Sequence, residues 1–311
     1  MLRPLVGVAI AATPVHCLGM KRIAIIAGLA ASLTATSALA LSPQPDPAVG
    51  ETHEIVVSYE TSQKGSDGSS SSSSGQDAML ERVIAISSLG LELEFDLPSD
   101  ATTEERARVW KFPARVLSPS SGEMRLLNGH ELEERVDRWL AAGDMTREMC
   151  GRWIFTWNAF RIECDPESVI ADIEAINLLS VDLREGAAYR HPETLGSGTL
   201  SRTAGGPDGA TYSVKLDVDA DAVRRSRAES DVVVGEITQH PITLETALVE
   251  RSRETVSGTV EVTFEVDASG SPTRRTVVTT LETFKPDGVS ETARQTVTVE
   301  RRVVPEPTAR R

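Results

Sequence analysis

From Leu89 to Leu97 the chain alternates: Leu89, Leu91, Leu93, Phe95 and Leu97 are apolar, and Glu92, Glu94 and Asp96 stand between them. Successive side chains of an extended backbone point to opposite faces, so this segment is a strand with one face on a core and the other in water. A helix would spread the same residues around its circumference. The same period marks Ile55, Val57 and Tyr59 within His53–Glu60, then Tyr212, Val214, Leu216 and Val218, and again Val260, Val262, Phe264 and Val266. Strand-like runs also cover Met79–Ile86, Thr273–Phe284 and Ala293–Val304, with turns at Asp267–Ser271 and Pro286–Gly288. Aromatic residues make up only 4% of the chain, so Val, Leu, Ile and Thr must build the interior, a composition that suits strands.

Two segments carry helix start signals instead. Asn128 is placed to cap the first, with Glu131 three residues on completing a capping box; Leu132, Val136, Trp139 and Leu140 form its apolar stripe, and Gly143 ends it. In the second, Asp165 caps, Pro166 opens the first turn, and Val169, Ile170, Ile173 and Ile176 face inward. The expected fold is therefore α+β and mainly antiparallel β: an open barrel or curved multi-stranded sheet, with two amphipathic helices at about 129–142 and 166–179 covering one face. Ser62–Asp77, with six consecutive serines from Ser69 to Ser74, reads as a mobile loop joining neighbouring strands of that sheet. The β-rich domain is expected to span 51–304, with a candidate subdivision in the turn-rich stretch 186–209.

A complete export signal starts at Met20. Lys21 and Arg22 supply its positive end, Ile23 to Leu33 its apolar stretch, and Ser37-Ala38-Leu39-Ala40 the small residues that signal peptidase accepts, so residues 1–40 read as a signal peptide whose true start is Met20. Cleavage after Ala40 removes three basic residues and no acidic one, taking the net charge from −14 to −17 and leaving no membrane span. Residues 41–50, with Pro43, Pro45 and Pro47, read as an extended leader, and 305–311 as a disordered tail. So acidic a chain repels nucleic acid and anionic membrane surfaces. The expected location is the periplasm or the cell exterior.

Export places Cys150 and Cys164, the only cysteines beyond the signal, where thiols oxidise. A three-residue hairpin loop at Thr156-Trp157-Asn158 sets Cys150 opposite Cys164, Ile154 opposite Phe160 and Arg152 opposite Ile162. A disulfide there stabilises the fold by roughly 3 kcal/mol in the chain-entropy account. Alternation along the same hairpin puts Trp153, Phe155 and Trp157 on one side, either as an aromatic binding surface or as a core-facing strand.

Catalytic patterns are missing or incomplete. His130-Glu131 with Glu134 lacks the second histidine of a helical zinc motif, and Asp217, Asp219 and Asp221 open like a calcium loop but continue with Ala222 and Ala228 where glycine and glutamate are needed. No nucleophile elbow and no phosphate-cradling glycine pattern is present, so no catalytic residue, metal or cofactor is implied. Three functions remain, in order: a non-catalytic exported protein that binds or carries an apolar small molecule; an envelope structural or interaction protein that meets a partner protein at a sheet edge; and a hydrolase without a recognisable motif. A long apolar cavity on the Leu91, Leu93 and Phe95 face would mark the first, a solid core with an exposed strand edge the second, and His and carboxylate groups converging in a polar cleft the third.

Overall fold

The computed structural model describes residues 47–304, apart from 120–121, 156–158 and 207 and the side chains of Phe155 and Ala159. The expected signal peptide, residues 41–46 of the leader and the tail 305–311 lie outside the described residues.

The architecture is one open antiparallel sheet of ten strands with helices laid over it. Its first strands are β1 (Thr52–Gly65), β2 (Ser70–Ser87) and β3 (Gly90–Asp96); after a short helix α1 (Thr103–Arg108) come β4 (Ala114–Pro119) and β5 (Arg125–Leu126). The chain then leaves the sheet for α2 (Gly129–Ala142), the hairpin β6 (Trp153–Phe155) and β7 (Ala159–Arg161), and α3 (Ser168–Ile176). Two small strands, β8 (Ala188–Tyr189) and β9 (Gly198–Thr199), pair with each other before β10 (Ser201–Gly206) and β11 (Gly209–Asp217) rejoin the sheet. Helices α4 (Ala220–Ile237) and α5 (Leu244–Arg251) precede β12 (Thr255–Asp267), β13 (Pro272–Phe284) and β14 (Ser290–Val303). The strand order is β10-β11-β12-β13-β14-β1-β2-β3-β4-β5, so the first and last long strands lie side by side in the middle.

Register carries the alternation of each strand onto a common face. Ile55 pairs with Met79 and Arg301, Val57 with Val299, Val299 with Arg275, Arg275 with Phe264, and Phe264 with Tyr212. Two cores form on that face. One joins Ile55, Val83, Leu93, Phe95, Val116 and Val299 to Leu132, Val136 and Leu140 of α2 and to Val169, Ile173 and Ile176 of α3. The other joins Tyr212, Val214, Leu216, Val260, Val262 and Phe264 to Ala187, Leu200 and Val223. The opposite face is polar, with rows such as Thr263, Thr276, Thr298 and Ser58.

Four local expectations change. Ser62–Asp77 is not a loop: the serines continue β2 along β1, from Lys64 opposite Ser70 to Val57 opposite Asp77. β1 is itself held on its other side by β14, so the pairing needs no apolar side chains from the serines. At Gly75 the Tyr59 ring lies where a Cβ would stand, which closes a gap that the small residues leave. Asn128 makes no side-chain cap. Its Oδ1 accepts from the Arg115 N–H at 2.9 Å and its Nδ2 donates to the Pro113 carbonyl at 3.1 Å, so the amide occupies the outer edge of β4. The capping box belongs to α1, where Thr102 and Glu105 bond reciprocally. The second expected helix is shorter, Ser168–Ile176, though the Asp165 carboxylate does accept from Glu167 N–H at 3.0 Å. Helices α4 and α5 were not expected; Asp219, one of the three aspartates that open like a calcium loop, caps α4 by accepting from Asp221 and Ala222.

Candidate functional site

Cys150 and Cys164 are joined, with their Cα atoms 5.7 Å apart. Cys150 follows a single 3-10 turn, Arg147–Met149, and the backbone bonds Gly151 N–H to Ile162 O and Ile162 N–H to Arg152 O lead into β6 and β7. The hairpin pairs Trp153 with Arg161, Ile154 with Phe160 and Phe155 with Ala159, the register that the cysteine spacing demands. Ile154 packs on the first core and Ile162 is fully buried there, whereas Phe160 is 40% exposed. Trp153, on the other side, is half-buried, and Cα atoms of α4 approach those of β6 within 8 Å. The Phe155 side chain and Trp157 lie outside the described residues.

The Leu91, Leu93 and Phe95 face divides. Leu93 and Phe95 are each 2% exposed and sealed beneath the helices, so no long cavity runs along them. Leu91, near the β2–β3 turn, instead borders an open cleft of about 980 Å³. Its apolar wall is Ile86, Leu91, Met124 and Leu179, while Glu174 and Asn177 from the end of α3 supply polar groups. Ile86 is 48% exposed, and Leu89 beside it 64%, so apolar surface continues outside the cleft.

A second cleft, about 290 Å³, lies over β1, β13 and β14 beneath α4. It is bordered by Gln63, Thr279, Gln295, Glu193 and Arg227. Burial pushes the Glu193 carboxyl above its usual range. Arg227 is already engaged, 3.3 Å from Glu254 and 3.2 Å from Glu291.

Two buried ionisable groupings escaped sequence reading. His53, 3% exposed, lies 3.1 Å from Glu51 and 3.8 Å from Glu81, and Arg301 donates to Glu81 at 2.7 Å. Burial, and then the Arg301 guanidinium, push the imidazole below its ordinary value. These groups sit in the sheet, outside both clefts. Arg275 is the second case: it donates to the Ala175 carbonyl near the end of α3, has no carboxylate partner among the described residues, and its Nε finds no hydrogen bond there. Burial lowers the His191 value, and the Arg275 charge adds to that effect; burial raises the Tyr189 value, and the Arg275 charge partly offsets it. Apart from Glu51, two residues before His53, the partners in these groupings are distant in sequence, so no local motif exists. The available signal was phase: His53, Glu81, Arg275 and Arg301 occupy strand positions that alternation assigns to the core face.

His130 stands in water, 3.5 Å from Glu134, as a surface pair on α2. No group of three His, Cys, Asp or Glu residues able to hold a metal occurs among the described residues. No helix among them is long and apolar enough to cross a membrane.

No family model matches the chain, and no curated protein matches it. A solved structure titled "Lipid-protein interactions in lipovitellin" is similar over 85% of this chain and 26% of its own, at 11% identity and a TM-score of 0.34. This chain thus spans about a quarter of that one, and a likeness so low carries no argument about fold or ligand.

Proposed function

We propose that this is a non-catalytic binding protein that works outside the cytoplasm and takes an apolar group into the cleft beside Leu91. The long cavity expected on the Leu91, Leu93 and Phe95 face is not there. The observation that carries the reading is the shorter cleft beside Leu91: about 980 Å³, open to water, with aliphatic and thioether side chains on one wall and Glu174, Asn177 and serines on the rest. Ligand sites run to roughly 300–1,000 Å³ and combine apolar walls with a few polar groups. Each methylene moved from water onto such a wall is worth about 0.8 kcal/mol, which selects for alkyl chains or aromatic rings over ions. The Cys150–Cys164 bond supports an oxidising compartment, where structural disulfides persist.

The test is native mass spectrometry of protein purified from its own cells, paired with titration of the apolar dye N-phenyl-1-naphthylamine. A bound lipid-like mass and saturable dye fluorescence, both weakened by Leu91→Asp, are expected. A clean apo protein that leaves the dye dark would sink the reading.

A further inference from the structure

Three margins of the sheet are guarded. Backbone groups at a strand edge invite pairing with another chain, and proteins normally block them with bulges, charges, short strands or covering segments. β10 is short and has a bulge between Arg202 and Ala204. β4 is covered by the two-residue β5, by Leu127 N–H on the Arg115 carbonyl, and by the Asn128 amide. The lower half of β2, from Leu80 to Ser87, is paired with β3.

The upper half of β2 is different. Val83 N–H bonds the Glu51 carbonyl and Gly65 N–H bonds the Ser69 carbonyl, so odd-numbered residues of β2 turn their backbone groups towards β1. Antiparallel ladders alternate, so Ser70, Ser72, Ser74, Gln76 and Ala78 turn theirs outward. Among the described residues nothing meets them: β3 pairs only from Leu80 onward, and no other backbone bond reaches this stretch. The outward groups stand two residues apart along an extended segment that contains no proline, lysine or bulge. Only another extended polypeptide presents donors and acceptors at that repeat.

Charge narrows the partner. Asp77 is the one charged residue in this half of the strand; it is half-buried, and no cation is paired with it among the described residues. Burial without a counter-ion raises its carboxyl above the usual range. Lys64 lies one strand away, opposite Ser70 at the far end. A second copy of the exported chain would bring another Asp77 and a further net charge of −17, whereas a basic side chain opposite Asp77 would neutralise it.

We propose that the Ser70–Ala78 edge receives an extended, basic segment of another protein as an added antiparallel strand. The serines suit this because their small hydroxyl side chains admit varied residues across from them and keep the unoccupied edge soluble. The site is independent of the cleft beside Leu91, so either can fail alone.

The test uses the full exported chain and three blocked decapeptides: alternating Thr-Lys, alternating Thr-Glu, and Thr-Lys with proline at every fourth position. Binding is read by fluorescence anisotropy, and backbone protection by residue-resolved hydrogen exchange. The Thr-Lys peptide is expected to bind saturably and to slow exchange at Ser72, Ser74 and Gln76, while odd-numbered amides, already paired, change little. Ser74→Pro removes an outward N–H without touching the β1 ladder and should weaken binding about tenfold or more. Asp77→Asn, which leaves the backbone intact, should weaken it about fivefold. Equal affinity for the Thr-Glu peptide, indifference to both substitutions, or no saturation at about 1 mM peptide would overturn the proposal. Self-association that protects the same even-numbered amides without peptide would overturn it in favour of a second copy.

Discussion

Over β1 to β4 the sheet is covered by α2 and α3, whose Leu132, Val136, Val169 and Ile173 are completely buried, and by the hairpin that the disulfide closes. Over β11 to β13 the cover is thinner: Leu200, Ala187 and Val223 reach the core, while α4 and α5 are tied down by ion pairs. Arg251 meets Asp231 and Glu254 at 2.6 Å each, and Arg227 bridges Glu254 and Glu291. One sheet thus carries two kinds of cover, one held by apolar burial and a covalent link, the other by charge. Apolar contacts are not screened by salt and respond little to moderate pH, whereas ion pairs depend on the protonation and completeness of their members.

The largest effects should come from the cores. Phe95→Ala and Phe264→Ala should each cost about 3–5 kcal/mol in urea denaturation, because both rings are buried. Two transitions, each moved by only one of the substitutions, would sharpen the contrast; a cost under about 1 kcal/mol at either site would break it.

Replacing both Cys150 and Cys164 with serine should cost about 3 kcal/mol and speed hydrogen exchange in α3 and the β6–β7 hairpin. Equal acceleration in α5 would mean that the two covers are not separate. Glu254→Gln should cost about 1–3 kcal/mol, since Arg227 and Arg251 both lose a buried partner. Its exchange signature belongs in α4 and α5, with α2 unmoved.

The smallest effect is the pH dependence. The folded-state values of His53 and His191 are lowered, so their contribution to stability is full above about 6.5 and is lost as pH falls towards the folded value. Burial opposes ionisation of Glu291, but hydrogen bonds from Gln63 and Arg227 outweigh it and hold the carboxyl below its ordinary 4.5, so its contribution is full above that range and fades in acid. Stability measured from pH 7 to 4 should fall first through the histidines, and His53→Asn should flatten that first slope. An unchanged slope would show that His53 titrates as it does in the unfolded chain.

Strands were legible where one face alternates with the other, because that period survives any tertiary setting; hence β3, β11 and β12. The serine run was misread because its order comes from β1 and β14, which its own composition does not reveal. Helix α4 escaped for a related reason. Its stretch from Val232 to Val234 is β-branched, its buried set is only Val223, Ala228 and Gly235, and what holds it are arginines meeting carboxylates up to 64 residues away. The disulfide was readable because hairpin register is a local rule. The cleft beside Leu91 was not, because it gathers residues from β2, β3 and the segment after α3, and only Leu91 had been singled out.

The pairing of β1 with β14 bears on the order in which the protein is made. His53 faces Val303 and Thr52 accepts from Val304 N–H, joining positions about 250 residues apart at the centre of the sheet. A chain that emerges from its N-terminal end can pair β1 with β2, and β2 with β3, long before β14 exists. One side of β1 must therefore wait until nearly all the chain has been delivered. The middle of the sheet is the last seam to close, and a chain cut short before β14 would present that seam, with Ile55 and Val57 beside it, to whatever else is in the compartment.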